Sequence, residues 1–182
     1  MIGNISSYSR LFTTVLKWQK AEKKWTDGSF LDLNAVQIEN DINAFSVEME
    51  ALQKLFKSKF KQQALDGESK YAKMNLEDSN PDNLPPALRI CALTIAQVKD
   101  FRTNIPIITC LCNPGLRGRH WRQMGDVIGF DITPNSGSSL RKMLRLELNS
   151  YMARLEAISI AATREHALEL TLIEMKVNTS DW

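Results

Sequence analysis

Only three cysteines stand among 182 residues, an odd number with no regular spacing. Such usage excludes a disulfide-stapled secreted scaffold and points to a reducing intracellular compartment. Glycine (8) and proline (6) are also scarce, which disfavours a loop-rich fold. Neither sign of charge dominates: 23 basic and 21 acidic residues leave a formal charge of +2. That balance is too even to predict a nucleic-acid partner, which usually demands a basic patch or stripe. Lys54, Lys57, Lys59 and Lys61 do cluster, yet on a helix they spread around the cylinder and read as a solvated face. Nothing approaches the roughly 20 consecutive apolar residues that span a bilayer. The opening "MIGNISSYSRLFTTVLKWQK" has neither the apolar core nor the cleavage site of a signal peptide. Nucleic acid and membrane are therefore not expected as partners, and the chain reads as soluble and cytosolic.

What is present suits a packed helical domain. Hydrophobic residues make up 43% and charged residues 24%, close to the average for a folded protein. The length fits one domain. Leu11, Val15, Trp18 and Trp25 fall at helical spacing, with Phe12 and Leu16 widening the stripe, until Asp27-Gly28-Ser29 supplies turn chemistry. Ile38, Ile42, Phe45, Met49, Leu52 and Phe56 then alternate steps of four and three, which predicts a long amphipathic helix to about Leu65, capped by Asp32 or Asn34 and stopped near Gly67. Loops are expected near 67–86, where "NLEDSNPDNLPP" cannot continue a helix, and near 129–138. Between them, a helix starting at Pro85 or Pro86 turns Leu88, Cys91, Ile95, Val98 and Phe101 inward, and Pro106 kinks or ends it. A last long helix is expected from about Ser139, carrying Leu144, Leu148, Tyr151, Leu155, Ile158 and Ala162, then Leu168, Leu172 and Met175 after an irregularity around Thr163. No strand signal appears. The fold class is all-α: an elongated array or bundle of long helices with helix-break-helix joints and no sheet.

One stretch gathers reactive residue types: "TCLCNPGLRGRHWRQMGD", residues 109–126. A structural zinc site needs four ligands in paired spacing, whereas here Cys110-x-Cys112 has only His120 nearby, so no metal is expected. A Cys–His nucleophile would need an orienting third group and an oxyanion site, and neither is specified. Cys91, Cys110 and Cys112 fit better as small apolar packing residues. No phosphate-cradling glycine loop exists, so no nucleotide cofactor and no catalytic residue is assigned. "GSSLRK", residues 137–142, could offer amides to an anion, but Ser138 or Ser139 acting as a helix cap explains it more simply.

The stretch has a mechanical reading instead. A residue before proline is pushed out of the helical region, asparagine caps well, and proline suits a first helical position, so Asn113-Pro114-Gly115 is expected to stop one helix and start the next at once. Leu116, His120 or Trp121, Met124 and Val127 would form the new helix's packed face, with Gly129 at its C-cap.

The string "NIPIITCLCNPGLRGRHWRQM", residues 104–124, resembles a segment in the linker region of dynein heavy chains, especially the axonemal ones. "GFDITP" at 129–134, the helix after it, and the tryptophan-rich stretch from Trp18 through "EKKWTDGSFLDLNAVQIENDI" also fit, so the resemblance covers about residues 11–182, leaving 1–10 as an N-terminal tail outside it. The resemblance implies a partial linker, non-enzymatic by itself, between the tail and the AAA+ ring of a microtubule motor. That linker bends and straightens as the ring hydrolyses ATP, producing minus-end-directed movement in the axoneme of cilia and flagella. It implies the motor ring as partner in cis, with dynein intermediate and light chains and microtubules reached indirectly. Asn113, Pro114, Gly115, Leu116, Arg117, Arg119, His120 and Trp121 would be structural joint residues and candidate ring contacts. Gly118 departs from the usual string; inside a helix it would cost roughly 1 kcal/mol against alanine, and the joint is expected either to be looser or to lack a charge pair there. Further linker helices normally follow, so the chain is expected to be a fragment or truncated product. The rival reading is a helical scaffold or adaptor that binds partners through apolar helix faces.

Overall fold

The computed structural model describes residues 2–67 and 73–180, with side chains from Ser6 onward. Residues 68–72, the first part of the expected 67–86 loop, lie outside the described residues. Every regular element among those described is helical: α1 (Ile2–Asp27), α2 (Ala35–Leu65), α3 (Pro86–Arg102), α4 (Ile105–Leu111), α5 (Gly118–Ile128), α6 (Leu140–Leu144) and α7 (Met152–Ser180), with short 3-10 turns at Phe30–Asp32, Pro81–Asn83 and Leu148–Tyr151. The all-α expectation is met.

The chain forms two compact units, Met1–Glu22 with Gln37–Asn104, and Lys23–Val36 with Ile105–Trp182. In the first, Leu11, Met49, Leu52, Phe56, Phe60, Leu84, Leu88 and Cys91 make one apolar cluster. Beside it Trp18 is fully buried, its ring edge-on to Phe45 at 5.5 Å and to Phe101 at 6.0 Å. Its indole Nε1–H donates to Gln97 Oε1 at 3.1 Å. The four-three spacing of α2 is realised at Ile38, Ile42, Met49, Leu52 and Phe56, and continues to Phe60. Gly67 sits at φ 73°, where a side chain is disfavoured, and the helix stops just before it. Lys57 and Lys61 of the basic cluster pair with Glu77, and Lys59 reaches Ser7, so the cluster is a solvated, internally paired face.

Three expectations need correcting. α1 runs from Ile2, and within it Phe12 and Leu16, read as widening the packed stripe, are exposed. Thr14 is buried in their stead, its hydroxyl bonded to the Arg10 carbonyl one turn back. Pro106 does not end α3. It lies in the first turn of α4, where a missing N–H costs nothing, after α3 has closed at Arg102.

The last helix is interrupted earlier than expected. α6 is capped by Ser139, whose Oγ accepts from the Lys142 N–H, but it ends at Leu144. Glu147 then takes a left-handed conformation at φ 51° before the Leu148–Tyr151 turn. From Met152 onward α7 runs unbroken through Thr163. The apolar stripe read as one helix is therefore two, because the break uses no proline or glycine and leaves the spacing nearly in phase.

Candidate functional site

The site is the segment between α4 and α5 and the face of α7 that receives it, all within the second unit. α4 ends at Leu111, and α5 starts only at Gly118, so the helix does not restart at Pro114. Asn113 does form the cap bond, its Oδ1 accepting from the Gly115 N–H at 2.9 Å, but the chain runs extended at Arg117 and the helix begins only after it. The Asn113 Nδ2 is surrounded by three acceptors of α7: Ser159 O (2.9 Å), Ser159 Oγ (3.0 Å) and Thr163 Oγ1 (2.8 Å). The hydroxyls are oriented to receive it, since Ser159 Oγ donates to the Cys110 carbonyl and Thr163 Oγ1 donates to the Ser159 carbonyl. Asn113 thus spends its side chain as a tether to α7.

Gly115 lets the tether close. A Cβ there would stand 2.9 Å from the Ala162 carbonyl oxygen and 3.1 Å from His166 Cβ, so only glycine allows the loop to lie against α7. Pro114 is exposed and Leu116 half-buried.

α5 is started by a reciprocal cap built around His120. The Arg117 carbonyl accepts from the His120 and Trp121 amides, and His120 Nδ1 accepts in return from the Arg117 N–H at 2.9 Å. With Nδ1 an acceptor, Nε2 carries the proton and donates to Glu165 Oε2 at 2.8 Å. Histidine therefore does the work that Glu or Gln does in the usual capping box, from a position 1% exposed. Arg119 grips the same Glu165 oxygen at 2.6 Å, and Arg117 reaches Glu169 at 3.3 Å. His120, Trp121, Met124 and Ile128 fill the buried face of α5; Ile128 takes the place expected for Val127. Gly129, at φ 101°, closes the helix with its N–H on the Gly125 carbonyl.

Gly118 is also corrected. It is the first residue of α5 and not an interior one, nothing lies within 4 Å of a Cβ built on it, and charge pairs flank it on both sides. Gly118→Ala is expected to stabilise the chain by about 0.5 kcal/mol, read as a rise of about 1–2 °C in the thermal midpoint, by restricting the unfolded chain.

The cysteines do not form a reactive centre. Burial pushes the Cys110 thiol up to about 11 and that of Cys112 up to about 12, so neither is a thiolate at neutral pH. His120 is committed to Arg117 and Glu165. Among the described residues no group of three or more His, Cys, Asp or Glu side chains is placed to hold a metal.

Glu165 is held below its ordinary range, first by the hydrogen bond from Arg119 and then by that from His120. A carboxylate depressed in the folded state stabilises above its unfolded pKa and loses that contribution as pH falls through the folded value. Thermal midpoints are therefore expected to drop between about pH 5 and pH 3, with a shallower drop in Glu165→Gln.

The family described as dynein heavy chain, N-terminal region 2, matches residues 1–182. The chain belongs to the dynein heavy-chain family. The match begins at residue 1 and takes in the first ten residues. Human dynein axonemal heavy chain 12 is 36% identical over 172 residues, and its mouse counterpart is 36% identical over 177. Human dynein axonemal heavy chain 3 is 28% identical over 182 residues. These alignments cover 94%, 97% and 100% of the dynein segment but only 5%, 5% and 4% of the respective relatives. The segment thus spans about 5% of the length of its heavy chain 12 relatives.

Sequence reasoning found the joint but missed its receptor. Ser159, Thr163, Glu165 and Glu169 look like ordinary surface residues of a helix, and only the fold brings them opposite Asn113, Arg117, Arg119 and His120. The one usable signal was their four-residue spacing in two pairs, Ser159 with Thr163 and Glu165 with Glu169, each pair one turn apart on α7.

Proposed function

We propose that this segment is part of the linker of an axonemal dynein heavy chain, a mechanical element without catalysis of its own. In this reading it carries ATP-driven movement of the parent chain's AAA+ ring into minus-end-directed sliding on microtubules in cilia or flagella. The observation that carries the reading is the family match along all 182 residues. The joint supports it physically. A lever must pass force across its breaks, and the tie from Asn113 to α7, with the Arg117, Arg119 and His120 contacts to Glu165 and Glu169, stiffens the break between α4 and α5. Asn113, Pro114, Gly115, Leu116, Arg117, Arg119, His120 and Trp121 are then joint residues. Those whose side chains are taken up by α7 or by burial are poorly placed to grip the ring, which leaves the exposed Pro114 as the nearest candidate contact.

The test is made in a full-length axonemal heavy chain carrying this segment. Asn113→Ala combined with Arg119→Ala is expected to slow microtubule gliding at least several-fold while basal ATP turnover is kept. Equal loss of both activities, or gliding at the unaltered speed, would refute the lever role.

A further inference from the structure

α7 carries one continuous stripe with steps of four and three: Leu155, Ser159, Ala162, His166, Leu170, Ile173 and Val177. Its first half is packed. Leu155 and Ala162 are fully buried, Ser159 is bonded to Cys110, and Gly115 rests against Ala162 and His166. Its second half is not, although the stripe keeps its phase: Leu170 is 49%, Ile173 57% and Val177 56% exposed. The α4–α5 layer stops short of them.

The charges continue the same pattern. In the packed half, Arg117 and Arg119 come from the covering layer to Glu165 and Glu169 at the edge of the stripe. Glu174 borders the uncovered half on its other edge and has no ion pair among the described residues, while Lys176 lies on the Glu169 side.

We propose that Leu170, Ile173 and Val177 form a docking face for one amphipathic helix that extends the α4–α5 layer along α7, bringing an apolar stripe onto these residues and a basic side chain to Glu174. Continuity with the interface already formed sets the face, and the unmatched carboxylate sets the sign of the partner's charge. Leu168, Leu172 and Met175 are also exposed, but they lie on the opposite side of α7 and continue no packed surface. They serve as the internal control. The inference rests on the geometry of α7 and stands or falls separately from the lever reading, because it is tested by binding and not by motility.

The experiment uses the full 182-residue chain and a labelled synthetic helical peptide with leucines at three- and four-residue spacing, flanked by arginines, read by fluorescence anisotropy. Leu170→Asp and Ile173→Asp are each expected to weaken binding about tenfold or more, as central apolar contacts do. Leu168→Asp and Leu172→Asp should change it less than about threefold, and Glu174→Gln should weaken it by roughly threefold, the scale of a rim charge. All four apolar positions are exposed, so circular dichroism should show every variant folded. Equal losses from both stripes, tighter binding of a glutamate-flanked peptide, or no binding at all would overturn the proposal. So would a concentration-dependent dimer abolished by Ile173→Asp, because the occupant would then be a second copy of the chain.

Discussion

Trp18→Ala is expected to destabilise the first unit by about 3–5 kcal/mol, the usual scale for removing a large buried aromatic side chain. The indole has no exposed surface, so its loss leaves a cavity whose walls, Phe45 and Phe101, are rings that cannot collapse into it. Gln97 would also lose the donor bonded to its Oε1. Trp18→Phe separates the two effects: it keeps most of the apolar body and should cost only about 1–2 kcal/mol, chiefly the packing lost with the smaller ring, because Gln97 is exposed and water can replace the donor. Urea unfolding followed by circular dichroism measures both. A loss below about 1 kcal/mol for Trp18→Ala would mean that Trp18 is not the core residue its burial indicates.

Asn113→Ala is the second large effect, expected at about 2–4 kcal/mol. One side chain satisfies the Gly115 amide and donates to α7, and each net bond contributes about 0.5–1.5 kcal/mol. Asn113→Asp is the sharper probe. It preserves shape and the acceptor for Gly115, but it turns a carboxylate oxygen toward the Ser159 carbonyl where an N–H now donates. It should therefore be at least as damaging as alanine. Hydrogen exchange at the amides of residues 115–121 should accelerate in both variants before that of α3, since the loss is local to the joint. If aspartate is tolerated, the amide is not the tether.

Much of this was legible from residue spacing. α2 and α3 were readable because four-three apolar steps and a proline at the first turn are local signals that packing then reinforced. Gly67 and Gly129 were readable as stops because only glycine enters the left-handed region cheaply. The break at Glu147 was not, since a left-handed glutamate leaves no mark in the sequence and the apolar phase survives it. At the joint, the capping rules recognised that the chain must turn at Asn113-Pro114-Gly115. They placed the new helix four residues early because the Asn113 cap bond to Gly115 forms but the chain then runs extended at Arg117, while the same side chain is also claimed by hydroxyls about 50 positions away. His120 illustrates the same limit. Proximity to two cysteines suggested chemistry, while its role depends on a backbone amide three residues back and a carboxylate on another helix. The family string was the most specific signal, and it pointed to the segment's origin without disclosing which contacts hold it.

The tether on α7 also divides that helix mechanically. Its contacts with the joint end at Glu169, and the helix continues to Ser180. At 1.5 Å per residue the overhang is about 17 Å. It behaves as a cantilever, clamped by short polar bonds at Glu165 and Glu169 and stiff beyond them as far as Ser180. A tilt of roughly 10° at the clamp would carry the tip about 3 Å, more than half of a helical turn. Small rearrangements around Asn113 and Glu165 are thereby magnified into displacements large enough to shift whatever rests on Ile173 and Val177.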